Sequence, residues 1–204
     1  MFFSSPAWDS VVYWSLDLET GGLDARRDAL LAVGMLPIRE GTIRLGEAYA
    51  TLVRPEEGRT IEPGSVRAHQ LVRGEFRDAP ELPAVMREVD RRLREGVLLV
   101  HHRTIDVAFL RGAYRRHGLR WPAPRVVDTV DLLLRASKRS RFIDPHLPAE
   151  LPNLNLSKAR RELGLPEYQA HDALSDALAT AELFLVLRKV IGARTLRHLH
   201  PRRS

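Results

Sequence analysis

The stretch "WSLDLETGG", residues 14–22, closes an apolar run with two acids, Asp17 and Glu19, followed by two glycines. In a strand alternate residues share a face, so Asp17 and Glu19 point one way while Leu16 and Leu18 point the other. Two carboxylates this close repel, and in a partly buried site one is driven towards protonation unless a divalent cation lies between them. An exposed strand end with two hydrated acids would leave the same trace, so this stretch does not decide alone. Asp106 adds a third acid, in the first turn of a helix just beyond the apolar run "VLLV", where the helix dipole favours negative charge. Ordinary helix-start chemistry would place an acid there too. Asp176 is harder to explain away. It falls in the second turn of a helix among Ala173, Ala177, Thr180 and Leu183, on or beside the stripe that faces the core, where a lone acid needs a partner. His171 precedes it by five residues, which on one helix would set the two about 140° apart. A better arrangement makes Asp172 the N-cap and leaves His171 on the incoming loop, leaning over the helix start.

Four acids from three segments and a loop histidine form a hard-ligand set. All-oxygen ligation suits two Mg²⁺ or Mn²⁺ ions rather than zinc or copper. Carboxylates shared between two such ions support in-line displacement at phosphorus, with the histidine as acceptor of the attacking water's proton. The chemistry this points to is metal-dependent phosphoryl hydrolysis. The chain's 204 residues carry 32 Lys and Arg against 26 Asp and Glu, a net charge of +6. Only Lys138, Lys158 and Lys189 are lysines. The remaining basic residues are arginines, whose planar fork suits phosphate. The excess favours a polyanionic partner, although codon preference in a GC-rich genome would produce the same arginine bias.

These residues need elements to hold them. The length suits one sizeable core. "VVYWSLDL" reads as a strand, and "ALLAVGMLPI" and "GTIRLGEAYATLVRP" as two more around a turn at Gly41, an antiparallel meander. From residue 79 the period becomes helical, with Leu82, Val85, Met86, Val89 and Leu93 on one face. "VLLV" at 97–100 is a short buried strand. Residues 104–118 are helical again, with Thr104 as N-cap and Gly118 as the stop. "VVDTVDLLLRAS" runs from a strand end into a helix, followed by an irregular, Pro-rich stretch at 138–152. The last helices are 155–164 and 172–191. The basic cluster Lys138, Arg139, Arg141 lies in the irregular stretch, where it could meet the phosphates of a single strand entering the site. We expect an N-terminal extension at 1–10, one domain at 11–192 and a frayed basic tail at 193–204. No apolar run approaches the roughly 18 residues of a membrane span. "MFFSSPAW" lacks the basic region of a signal peptide, and the absence of cysteine fits a cytoplasmic protein.

The motifs resemble a known family, the DEDDh 3′–5′ exonucleases, in particular the epsilon proofreading subunit of bacterial DNA polymerase III. "DLETGG" is similar to the family's Asp-x-Glu-Thr-Gly, "HHRTIDVAFL" to its His-Asn-Ala-x-Phe-Asp element, and "HDALSDALAT" to its His-x-Ala-x-x-Asp-Ala element. "RAHQL" and "VVDTVDLL" resemble two intervening segments, so the likeness runs from about residue 11 to 190. The resemblance implies a ribonuclease H-like α/β fold, a mixed five-stranded sheet with helices on both sides. It implies that Asp17, Glu19, Asp106 and Asp176 hold the two cations and that His171 is the general base. By the same resemblance, Thr20 and Gly21 offer backbone amides near the terminal nucleotide and Leu23 packs on its base. The substrate would be DNA 3′ ends, single-stranded or mismatched, hydrolysed to nucleoside 5′-monophosphates in replication or repair, with a DNA polymerase as a partner. RNA is the alternative substrate, and a catalytically weakened nucleic-acid-binding module is the alternative class. The second motif departs from the family where His102 replaces Asn and Arg103 replaces Ala. We expect His102 to touch the 3′ end, and His101 and Trp121 to serve packing.

Overall fold

The computed structural model describes residues 5–71, 73–144, 151–168 and 172–200, with the backbone alone at residues 68, 69 and 73. Its centre is β1 (Tyr13–Thr20), flanked on one side by the antiparallel β2 (Leu30–Arg39) and on the other by the parallel β5 (Val97–Val100) and then β6 (Val126–Asp128). Nearly every position of β2 is buried, as in a strand covered on both faces. The hairpin out of it turns through Glu40 and Gly41, both with positive φ (51° and 73°), the backbone of a two-residue turn that matches strand twist.

The expected third strand is broken in two. β3 (Thr42–Ile43) and β4 (Tyr49–Leu52) both pair with β2, and a 3-10 turn at Leu45–Glu47 lifts the chain off the edge between them. The sheet therefore has six strands rather than five, in a mixed arrangement with helices on both faces.

On one face α2 (Leu82–Glu95) and α3 (Arg103–Arg116) pack against Trp14, Leu16 and Leu18. All five apolar positions expected on the α2 stripe are buried, each contributing on the order of 1.5–3 kcal/mol. On the other face α4 (Thr129–Ile143), α5 (Leu156–Glu162) and α6 (Ala173–Val190) cover Tyr13, Leu36, Ile38 and Leu99. The short α1 (Pro63–His69) comes after β4 in the chain, and the Glu62 amide before it donates to the Gly21 carbonyl at 2.7 Å.

Three boundaries differ from expectation. α3 begins at Arg103 with His102 before it in the left-handed region, so Thr104 is inside the helix. Its start is capped from outside: Asp128 at the end of β6 accepts the amides of His102 (3.1 Å) and Arg103 (3.0 Å), and also that of Val130 in α4 (3.0 Å). α4 continues to Ile143, so 138–143 is helical, because no Gly or Pro interrupts it there. The tail is docked rather than frayed over its described part. Leu196 and Leu199 are buried, Thr195 bridges to Ala7, and Trp8 packs on Tyr13 and Phe184.

The approach of α6 to the sheet depends on one glycine. Gly34 stands opposite Asp17 in the β1–β2 ladder, and a Cβ there would sit 2.2 Å from the Ala173 carbonyl carbon and oxygen. The Ser15 hydroxyl, buried on the same face of β1, donates to the Ala177 carbonyl at 2.7 Å. These contacts seat the first turns of α6 directly on the central strands. Gly34→Ala should destabilise the protein by roughly 1–3 kcal/mol, the range for overpacking, because the obstacle is backbone and cannot rotate away. Guanidinium unfolding measures it, and an unchanged midpoint would mean that α6 does not rest there.

Candidate metal centre

The alternation of β1 is realised. Tyr13, Ser15, Asp17 and Glu19 face α6 while Trp14, Leu16 and Leu18 face α2 and α3. With Gly34 and Ser15 admitting α6, Asp176 in its first turn joins the strand pair. One carboxylate oxygen from each of Asp17, Glu19 and Asp176 lies within 4.8 Å of the other two. Asp172 caps α6 through the Ser175 amide (2.8 Å), as expected from the sequence. Asp106 enters from the opposite face, at the start of α3. It is 5% exposed, and among charged neighbours it is the one that acts most strongly on Asp17.

The electrostatics are those of buried, crowded carboxylates. Burial, then the charges of Asp106, Asp176 and Glu19, pushes the Asp17 carboxyl well above the usual carboxylate range. Burial, with Asp176 and Asp172, raises Glu19 to about 7. Burial also raises Asp106, to about 8, with Asp128 adding to it and backbone hydrogen bonds at Asp106 and Leu18 opposing it. The donor set fits a hard divalent cation. All ligands are oxygens, and a spread of 4.8 Å needs only slight contraction to surround an ion with bonds of about 2.0–2.1 Å, whose opposed ligands lie about 4.2 Å apart.

His171 lies outside the described residues. The chain leading to it is anchored: the Tyr168 hydroxyl donates to Glu182 (2.9 Å), and Arg160, 2% exposed, donates to Glu182 (2.7 Å) and to the Ala179 carbonyl (2.6 Å). α5 and the chain as far as Tyr168 are thereby pinned to α6.

The remaining candidates are distributed around this centre. The Thr20 hydroxyl donates to the Gly22 carbonyl (2.7 Å), and the Gly21 amide is committed to the Ala29 carbonyl (2.8 Å), so Gly21 shapes the loop from within. Leu23 is 80% exposed on the rim of a cavity of about 550 Å³ whose walls include Arg27, Glu62 and Ser65. His101 braces the fold as expected. Its Nε2 donates to the Leu154 carbonyl (2.8 Å), its Nδ1 meets the Thr129 hydroxyl (2.7 Å), and burial lowers its pKa to about 4, keeping it neutral. His102 is exposed, and its Nε2 lies 3.1 Å from the same Leu154 oxygen. Arg103 pairs with Asp131 at 3.1 Å. Trp121 packs edge-on against Tyr114 at 5.0 Å, a packed anchor.

Lys138, Arg139 and Arg141 are not with the acids. They sit on the last turns of α4, and Arg139 lies beside Gly192, just past the far end of α6. That is about 20 Å along the helix from Asp176. The residues that sequence reasoning missed are Gly34, Ser15 and Asp128. A lone glycine inside an apolar strand is the one signal that could have marked the first.

An acid cluster at the end of the central strand of a mixed sheet defines a ribonuclease H-like nuclease domain. The exonuclease family model of the ribonuclease T type matches residues 15–184, and the chain belongs to that family. It is 32% identical over 183 residues to a Mycobacterium tuberculosis protein named as a bifunctional exonuclease/endonuclease, covering 87% of this chain and 26% of that protein. It is also 32% identical to a DNA polymerase III subunit epsilon-like protein of Rhodobacter capsulatus, over 92% of this chain and 25% of the relative. The chain thus spans about a quarter of those two proteins. Ribonuclease T of Photorhabdus laumondii is 27% identical, with 83% of this chain and 80% of that enzyme covered. Among solved structures, exonuclease I of E. coli in complex with a dA16 oligonucleotide shares the fold, with a TM-score of 0.74 at 18% identity, over 93% of this chain and 42% of that one.

The raised carboxylates carry a signed consequence for stability. As pH rises from about 4, the unfolded chain releases its protons before the folded site does, so the metal-free protein loses stability. Asn at position 17 removes one such group. Without divalent ions, the melting temperature of Asp17→Asn minus that of the wild type should grow from near zero at pH 4 to a positive value at pH 8. Saturating Mn²⁺ should reverse its sign at pH 8. Thermal melts across that range check it, and a difference independent of both pH and metal would mean that the acids are not crowded.

Proposed function

We propose that the protein is a DEDDh-type 3′–5′ exonuclease that hydrolyses the terminal phosphodiester of DNA, single-stranded or mismatched at its 3′ end, releasing nucleoside 5′-monophosphates. The observation that carries this reading is the convergence of Asp17, Glu19 and Asp176, with Asp106 beside them, at the end of the central strand. Two Mg²⁺ or Mn²⁺ ions held by these four residues would supply charge neutralisation at the phosphoryl oxygens and a more acidic attacking water. His171, which precedes the N-cap of α6 in the sequence, takes the proton of that water. Leu23 meets the terminal base, and Thr20 and Gly21 hold the loop that carries it. His102, just before the start of α3, touches the 3′ end in this reading.

The catalytic unit in this reading is residues 11–192. A DNA polymerase is the proposed partner, by likeness to the epsilon-like relative, and the cytoplasm the proposed compartment. Among the described residues no helix is long and apolar enough to cross a membrane. A second reading, an exoribonuclease, is favoured by a relative whose length the chain nearly spans, ribonuclease T. Because the acids act on the phosphodiester, they serve either polymer.

Timed digestion separates these readings. A 3′-labelled single-stranded DNA should lose its label as mononucleotide in the first turnovers, and faster than matched RNA. Internal cuts would overturn the exonuclease reading, and faster RNA digestion would transfer it to the second. Asp176→Asn should abolish turnover while the fold remains, because a neutral amide cannot replace an anionic ligand. Near wild-type rates would sink the assignment. His171→Ala should slow hydrolysis by about 10²–10⁴-fold, the range for one general base, with Mn²⁺ affinity retained. Full rate across pH 6 to 9 would send the proton elsewhere. For His102→Asn we expect a changed KM or a changed DNA-to-RNA preference with kcat preserved, and unchanged values of both would leave His102 as a brace for Leu154.

A further inference from the structure

The charge of the chain is divided between two regions. Residues 132–143 carry four Lys or Arg and residues 183–204 carry six, with no Asp or Glu in either segment, although the whole chain is only +6. Everything else is therefore net acidic. The fold brings the described parts of these segments together where the ends of α4 and α6 meet, remote from the acid cluster. Arg135, Lys138, Arg139 and Phe142, spaced i, i+3, i+4 and i+7, line one side of a groove of about 790 Å³, and Ile191, Gly192 and His198 line the other. Residues so spaced share one face of a helix.

A solvated basic face would be the ordinary explanation, but three details argue for a ligand. Many arginines elsewhere are matched to acids, as at Arg27, Arg39, Arg92, Arg94 and Arg116, whereas Lys138 and Arg139 make no ion pair among the described residues. The Arg135 guanidinium is already oriented, donating to the His198 carbonyl at 2.6 Å. At the end of the stripe the Phe142 ring is 86% exposed, with Ile143 beside it at 70%. Cations in a row with an open aromatic ring are what a single strand needs, charges for its phosphates and a face for a base. The stripe spans seven helical positions, about 10 Å, which matches roughly three phosphates at about 3.4 Å each.

We infer that this groove is a second binding site for a single nucleic-acid strand, separate from the metal centre and joined to it only through the polymer. That the ligand is the substrate strand rests on the nuclease reading; the groove and its charge do not. Some 20 Å of α6 separates the two sites, so a strand must exceed roughly six stacked nucleotides to occupy both. Long strands are held at two places and short ones at one.

The test is equilibrium binding without divalent ions, by fluorescence anisotropy, so it does not depend on catalysis. The probes are labelled oligothymidylates of about 20 and about four nucleotides. Lys138→Gln with Arg139→Gln should weaken binding of the longer probe by about tenfold or more at low salt. It should also reduce the slope of log affinity against log salt by about 1.4, at 0.7 for each lost phosphate contact. Phe142→Ala should weaken binding of the longer probe about fivefold or more with the slope unchanged. The short probe should not distinguish the variants. Affinities within twofold of wild type for both variants on the long probe would overturn the proposal, and so would equal losses on both probes. Wild-type binding of polyglutamate in the groove without binding of the long probe would assign it to an acidic protein and also overturn it.

Discussion

Four carboxylates crowd the end of β1, and much of the architecture around that point serves to hold them there. Burial first, and then the charge of neighbouring acids, raises Asp17, Glu19 and Asp106 above the ordinary carboxylate range. A fold that needed only stability would hydrate or disperse these groups. Here the acids are brought together by contacts with little tolerance. Gly34 admits the α6 backbone, Ser15 ties α6 to the strand, and Asp128 collects three amides at the starts of α3 and α4. Packing energy from both faces of the sheet opposes the electrostatic cost, and a bound dication would remove it.

The same organisation separates tasks in space. The helices that meet the sheet near the acids run away from them, so α4 and α6 carry their last turns, and with them much of the positive charge, to another part of the surface. An acidic site and a basic groove on one small domain would repel and attract the same polyanion. On the proposed reading, separation along α6 would let the scissile end sit among acids neutralised by cations while phosphates further along the strand meet arginine and lysine.

How much of this was legible in the sequence follows from the range of each interaction. The period-two alternation placed Asp17 and Glu19 on one face, and the helical stripe of α2 was readable because burial repeats locally. The place of Asp176 beside the core-facing stripe of α6 was readable for the same reason. What the sequence concealed depends on partners far along the chain. The cap of α3 comes from Asp128, about two dozen residues away, so Thr104 looked like the better N-cap. The break between β3 and β4 depends on how both pieces share the edge of β2. The basic cluster seemed to belong to a loop because the prolines beyond it suggested irregular chain, yet α4 continues through it and carries it away from the acids.

The central claim is that the acids are held together for a divalent cation whose binding relieves their repulsion. Isothermal titration of the protein with Mn²⁺ at pH 7, in two buffers of different ionisation enthalpy, tests it most directly. Because metal must displace the proton of a carboxyl such as Asp106, raised to about 8, the account predicts binding whose apparent enthalpy differs between the buffers, corresponding to net proton release, and a reduced release in Asp106→Asn. Binding with the same enthalpy in both buffers, or no binding at all, would contradict it.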